Sequence, residues 1–457
     1  MRVLVLNGSP SGEDSVTLFT VKYIEKKFPQ VSFETLHVGQ RIRHYETDFS
    51  EAAEKLRAAD LILFAYPVYT FLVPAQLHRF VELMKGSGID FAGKYATQIT
   101  TSKHFYDVTA HRFLEDNFED MGLRYVRGLS ADMEDLLTKR GQGEAEAFFR
   151  FVLWQMERGF AQPPRQGAPE PFAPIVPEKA EGPVPEKKPG TVVIVTDREE
   201  GAEDALGAMI DRFTARLPYE TRVVNLRTFP FAGGCLGCFH CAADGTCVYR
   251  DGFDTYLREH IQSTDAIVYA YSIQDHSMGY RFKLYDDRQF CNGHRTVTMG
   301  KPEGYLVDGA LSREPNLQML MEARAQVGGN YLAGIATDEA DPEREIDQLC
   351  ETLAYAMEHD YQQPKNFYGV GGLKIFRDLI YQMQGLMRAD HRFYKAHGFY
   401  DDFPQKRRGR IGAMYLVGAM MKNKKLQKKM GGRMTEGMAM PYKKVIEQAE
   451  APSGKQE

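Results

Sequence analysis

The first 234 of the chain's 457 residues contain no cysteine; all six cysteines fall in the remainder. Long hydrophobic runs are missing as well. No apolar stretch reaches 18 residues, which excludes a membrane-spanning helix. Neither sign of charge dominates, since 57 Lys and Arg face 62 Asp and Glu, a formal net charge of −5. So mild an acidity gives no overall pull toward nucleic acid. The opening MRVLVLNGSP runs straight into a strand-like segment without the charged and apolar regions of a leader peptide, so the expected location is cytoplasmic. No G-x-S-x-G and no His/Glu grouping with zinc-hydrolase spacing occurs.

What is present divides the chain. Residues 162–190 hold nine of the 22 prolines. Proline fixes φ and removes an N–H, so residues 161–190 read as a semi-extended linker. Before it, in residues 1–160, strand signals (RVLVLN, VSFETLHV, LILFAYP, KYATQITTS) alternate with helix signals such as EAAEKLRAAD and PAQLHRFVELM. After it, in residues 191–362, the rhythm restarts with the strands TVVIVTD, TRVVNLRTF, DAIVYAYS, PEGYLVDGA and NYLAGIATD. The helices AEDALGAMIDRFTARL, a shorter one near DTYLREHIQ, and EREIDQLCETLAYAMEH punctuate them. This order implies an α/β chain of two tandem doubly wound parallel-sheet domains.

Residues 363–457, rich in Met, Tyr and Lys, depart from that rhythm and read as a helical C-terminal extension. Between Asp402 and Glu436 lie ten Lys/Arg and no acid, around the eleven-residue apolar run Ile411–Met421. Such a segment suits packing against the two domains, peripheral contact with an anionic surface, or an acidic electron-transfer partner.

Two loops of the first domain carry chemistry. LNGSPSGEDSVT (6–17) joins the first strand to the first helix, where an open parallel sheet binds ligands and helix N–H groups are free for phosphate. AYPVYTFLVPAQLHRFVE (65–82) follows the third strand and offers aromatic residues around a proline-containing turn, suited to a flat ring. The pair resembles the NAD(P)H-dependent FMN reductase branch of the flavodoxin-like superfamily. By that resemblance Ser9, Ser11, Ser15, Val16 and Thr17 cradle the FMN phosphate, and Pro67, Val68, Tyr69 and Thr70 line the isoalloxazine. Thr101 and Ser102, in a third loop TTSKHFYD, close its other side. NAD(P)H is then the implied electron donor. Family loops place a basic residue after Ser-Pro, whereas here Glu13 and Asp14 follow, a charge unfavourable to phosphate unless it points to water.

The second domain holds Cys235-x2-Cys238-x2-Cys241-x5-Cys247. In a reducing compartment, clustered thiols point to metal or redox chemistry rather than disulfides. Soft thiolates suit an iron–sulfur cluster or zinc. Zinc sites usually separate two CxxC knuckles by a longer span, so the successive x2 spacings favour a [4Fe-4S] cluster; zinc and free redox thiols stay open. The segment resembles the cysteine motif of the iron–sulfur flavoproteins, flavodoxin-like proteins with FMN and one [4Fe-4S] cluster. Cys291 and Cys350, far from the motif, read as buried core.

The second domain's own cradle reads TDREEGAEDA, five carboxylates in ten positions, which repels a phosphate. Its ring-side counterpart, SIQDHSMGYRFKLYDDR, has lost the proline. One FMN per chain is therefore expected. His104 and His276 fall in loops expected near the ring sites.

The reading is a flavin-dependent oxidoreductase passing electrons from NAD(P)H through FMN to a [4Fe-4S] cluster and on to a small-molecule or protein acceptor. The resemblance further implies that each fused copy keeps one cofactor, like the two subunits of a dimer, and a homodimer of the whole chain stays open. The alternatives are an NAD(P)H:FMN or quinone reductase without a cluster, and a non-catalytic electron carrier or redox sensor.

Overall fold

The computed structural model describes residues 1–163, 171–421, 439–440, 442–443 and 445–448. By its contacts the chain divides into Met1–Phe393 and Tyr394–Glu457.

The first unit contains two parallel sheets. In the first half the elements run β1 (Arg2–Asn7), α1 (Val16–Lys27), β2 (Ser32–Leu36), α2 (Val38–Thr47), α3 (Ser50–Ala58), β3 (Leu61–Pro67), α4 (Ala75–Gly86), β4 (Tyr95–Ser102), α5 (Asp107–Asp120), β5 (Arg124–Tyr125), β6 (Leu129–Asp132) and α6 (Lys139–Arg158). Their strand order is β2-β1-β3-β4-β5, with β6 also pairing with β4. The second half follows with β7 (Lys188–Thr196), α7 (Ala205–Arg216), β8 (Tyr219–Asn225), α8 (Cys241–Asp244), α9 (Phe253–Tyr256), β9 (Ala266–Ser272), α10 (Gly279–Arg288), β10 (Pro302–Asp308), α11 (Pro315–Gly328), β11 (Tyr331–Thr337) and α12 (Pro342–Glu358). Its order, β8-β7-β9-β10-β11, repeats the first. Both halves are doubly wound parallel sheets, as the alternation of apolar runs implied.

The central strands explain themselves. LILFAYP and AIVYAYS are buried on both faces, as a parallel strand between two helical layers must be. Ser15 caps α1 and Asp204 caps α7, each accepting an N–H from the first turn of its helix. One hydrophobic cluster covers the outer face of the first sheet and another the outer face of the second. The third cluster is shared, running from Leu4 and Phe64 through Phe113 to Phe282 and Leu320. The halves are thus fused through their cores.

The contact between them is reciprocal. Leu61 and Ala266, the first residues of β3 and β9, are 205 positions apart, and the same offset relates α4 to α10. Glu82 of α4 accepts the Tyr280 N–H at the start of α10 at 2.9 Å. Its counterpart Asp287 accepts the Ala75 N–H at the start of α4 at 2.8 Å. Each helix therefore caps the other, an internal two-fold. The turns before these helices match too: Thr70 and Phe71 (φ 42° and 71°), and Asp275 and His276 (φ 52° and 62°), are left-handed pairs closed by Tyr69–Leu72 and Gln274–Ser277 hydrogen bonds. Non-glycine residues at positive φ persist only where the surroundings hold them.

The linker's described part runs extended over the second half, where Ile175 donates to the Asp338 carbonyl at 2.9 Å. Beyond it α13 (Phe367–Gln382) packs on α11 as part of the first unit, and α14 (Arg388–Ala396) follows. In the second unit α15 (Arg408–Met421) carries exposed Met414, Tyr415 and Leu416. The part of the basic run after it, 422–436, lies outside the described residues. Among the described residues no helix is long and apolar enough to cross a membrane.

Candidate functional site

The strand order reverses between β1 and β3, and the loops leaving their carboxyl ends form one wall of a cavity of about 290 Å³. The opposite wall is the cysteine loop of the second half. Ser9, Ser11, Ser15, Val16, Thr17, Pro67, Val68, Tyr69, Thr70, Thr101 and Ser102 all line this cavity, and so do Cys235, Cys238, Cys241 and Cys247.

The first loop is built to present backbone. Asn7 holds it from below, its side chain donating to the Gly12 carbonyl at 2.8 Å and accepting from the Ser9 N–H at 3.2 Å. Ser15 ends the loop as the cap of α1, whose first-turn N–H groups no helix carbonyl can take. Thr17 is hydrogen-bonded through its hydroxyl to that of Thr101, tying the cradle to the end of β4. Glu13 does not face the cavity. It pairs with Lys22 and, at 2.8 Å, with His37, and the Lys22 bond holds its carboxyl below the ordinary range. Asp14 does line the cavity, together with Lys103, which pairs with Asp132 at 2.8 Å. These residues fit a phosphate held by backbone and hydroxyl donors, with a flat ring over the Pro67–Thr70 turn.

The cysteine loop is seated on the first half. The Gln76 side chain donates to the Cys235 carbonyl at 3.2 Å, and Arg43 to that of Ala232. Left-handed backbone at Gly233, Gly237, Phe239 and Gly245 folds the four cysteines toward one side, and none is in a disulfide. Two donors face the sulfurs: the Gly237 N–H to Cys235 Sγ at 3.5 Å, and Arg288 to Cys247 Sγ at 3.9 Å. Burial pushes the Cys235 thiol up to about 12 and that of Cys241 to about 11, with the neighbouring cysteines adding to both. Thiolates are favourable here only beside a cation, which is the donor chemistry a metal centre needs.

Several wall residues carried no sequence signal. Arg288 is buried, bonded to both carboxylate oxygens of Asp251 at 2.8 Å and stacked over Tyr249 at 4.6 Å. The Phe290 carbonyl accepts from Cys241 Sγ at 2.9 Å. His294 closes the cavity from the segment after α10, Phe376 and Leu379 from α13, and Met387 and Asp390 from just before and within α14. Neither expected histidine lines it. His104 bonds Asp107 at 2.8 Å, and His276 bridges Asp120 and Glu314 between the halves. Cys350 is buried in the second half's core, whereas Cys291, also buried, reaches the cavity wall.

The second half's cradle is filled from within. Arg198 stands where the first half has Ser9, and its guanidinium folds back onto Asp204 and the Ala202 carbonyl.

Residues 1–128 match the family model described as NADPH-dependent FMN reductase. The chain is similar to an iron-sulfur flavoprotein of Archaeoglobus fulgidus, 29% identical over 174 residues, which are 36% of this chain and 79% of that protein. Similar solved structures include an FMN-dependent NADH-azoreductase from Bacillus anthracis in complex with FMN (14% identical, TM-score 0.27, covering 33% of this chain and 98% of that one). Another is an NAD(P)H:quinone oxidoreductase from Methanothermobacter marburgensis (14% identical, TM-score 0.28, covering 34% and 96%). The N-G-S-P and P-V-Y loops lie within the matched residues, so the chain's first 128 residues carry the pattern of the FMN reductases they were seen to resemble.

Proposed function

We propose that the protein is a flavin-dependent oxidoreductase that takes electrons from NAD(P)H at an FMN held by the first half. It passes them to a [4Fe-4S] cluster held by Cys235, Cys238, Cys241 and Cys247, and on to an acceptor. One observation carries the reading: the cradle of one half and all four cysteines of the other line a single cavity. FMN accepts a hydride and releases electrons singly, while a cluster carries one at a time.

The chain's own residues do the rest. Ser9 to Thr17 would hold the phosphate, and the Pro67–Thr70 turn would line the ring across the cavity from the cysteine loop. Phe290 and Phe376 line the space between with apolar surface. Arg288 and the Gly237 N–H offset negative charge on the sulfurs. The successive x2 spacings of the cysteines favour the cluster over zinc, whose sites usually separate two CxxC knuckles by a longer span.

The test is Cys238→Ala, purified without oxygen. Iron and acid-labile sulfide are expected to fall while FMN content and flavin reduction by NAD(P)H persist, and transfer to a one-electron acceptor slows. Unchanged iron, or loss of FMN from a folded protein, defeats the reading.

A further inference from the structure

A second cluster of chemistry lies outside that cavity, on the internal two-fold. By the 205-residue offset, His78 corresponds to Lys283, Glu82 to Asp287 and Thr70 to Asp275. In one copy, Lys283 pairs with Asp287 one turn along its own helix and reaches across the interface to the Tyr69 carbonyl at 2.8 Å, while Thr70 bonds the same Asp287 at 3.2 Å. An ammonium ion is thus built into that corner.

The other copy has the same corner with an imidazole at the lysine's position. His78 is fully buried against Phe113, and neither of its ring nitrogens has a hydrogen-bond partner. One of these nitrogens and carboxylate oxygens of Glu82 and Asp275 lie within 4.8 Å of one another. The remaining contacts hold the carboxylates in place: Arg79 and the Tyr280 N–H on Glu82, and Lys85 on Asp275 Oδ1. Two acids and a buried, unpartnered imidazole converge where the sister site places a positive charge.

We propose that His78, Glu82 and Asp275 form a binding site for a divalent transition-series cation such as zinc, which clamps the two halves across their shared axis. One imidazole nitrogen and two carboxylate oxygens are a ligand set such ions accept, with solvent completing the shell. Two ligands come from α4 and the third from the turn of the opposite half, so binding links elements that are far apart in the chain. This site is separate from the cysteines and stands whether or not they hold a cluster.

Cobalt(II) is the probe, added to the full chain after dialysis against a chelator. Uptake is expected at one equivalent, with weak visible bands and no sulfur-to-cobalt charge-transfer band, and with a rise in the midpoint of thermal unfolding. Removing an outer-sphere partner of a metal weakens binding about 10–100-fold, and His78→Gln or Asp275→Asn, which remove a direct ligand, should weaken it at least as much. Asp275→Asn, at a half-buried turn, serves as the readout where the deeply buried His78→Gln does not fold. No uptake, uptake only with sulfur charge transfer, or uptake that a folded variant leaves unchanged overturns the proposal.

Discussion

The phenolic oxygen of Tyr69 lies so close to the α-carbon of Gly237 that a β-carbon built on the glycine would overlap it. Tyr69 belongs to the ring-side turn of the first half and Gly237 to the cysteine loop of the second. This contact joins the two walls of the cavity directly. Burial, with the neighbouring Cys235 thiol, holds the Tyr69 phenol far above its ordinary range, so it stays neutral there.

Gly237→Ala is expected to unseat the cysteine loop. Its φ of 61° costs an alanine about 1 kcal/mol, and its methyl must also displace the tyrosine. Iron and sulfide content should fall while FMN content holds. Adding Tyr69→Phe removes the overlapping oxygen and should recover part of the iron, as measured by parallel iron and flavin assays on both variants.

Arg288 and Asp251 form an ion pair whose side chains are 1% and 7% exposed. Taking away one partner leaves a buried charge behind, typically a loss of about 3–5 kcal/mol. Arg288→Met is therefore expected to lower stability by roughly that much in denaturant titrations. Replacing both, Arg288→Met with Asp251→Leu, should recover most of the loss. The double variant would then show whether the guanidinium beside Cys247 matters to the cluster apart from its structural role, through a shifted reduction potential.

Much of this was legible because central parallel strands are continuous apolar runs and ligand loops sit at their carboxyl ends. LILFAYP, AIVYAYS, N-G-S-P and the cysteine spacing are local patterns of this kind. Helix α6 was harder to see, since Gly141 and Gly143 weaken the propensity of its first turn. Strand β5 has two residues and no pattern to read. The sequence places Glu13 beside a phosphate site, but only the fold brings Lys22 and His37 to turn it away. Arg288, His294 and Asp390 reach the cavity from elements that become neighbours through the pairing of α4 with α10 and the contact of His294 with Asp390. That pairing depends on Glu82 and Asp287, ordinary acids in sequence.

Flavin stoichiometry is expected to be one per chain, and one glycine should control it. Gly39, at the start of α2, packs on the Gly8 carbonyl so closely that a β-carbon would collide with backbone. Gly39→Ala must push the Gly8–Ser9 turn out of place. With the second cradle filled by Arg198, bound FMN should drop toward zero rather than to half. Iron content should be retained. The flavin absorbance of the purified variant, set against its protein concentration, measures this.

Glu303 supplies the clearest pH dependence. It is 5% exposed on β10, where burial raises its carboxyl from 4.5 to about 7 although nearby Arg324 acts in the opposite direction. Arg324 is bonded to Asp286 instead, so it does not neutralise the glutamate directly. Below about pH 4.5 the acid is protonated in both the folded and unfolded chains and contributes nothing to the difference. Between pH 4.5 and 7 the unfolded chain gives up its proton first, so stability falls as pH rises, and above pH 7 the full loss is reached. A shift of that size corresponds to roughly 3 kcal/mol. Glu303→Gln, which keeps the shape without the charge, should therefore match the wild type near pH 5 and exceed it by a few kcal/mol at pH 8. Urea denaturation at the two pH values measures the gap, and an equal gap at both would mean that the carboxyl's ionisation is not its source.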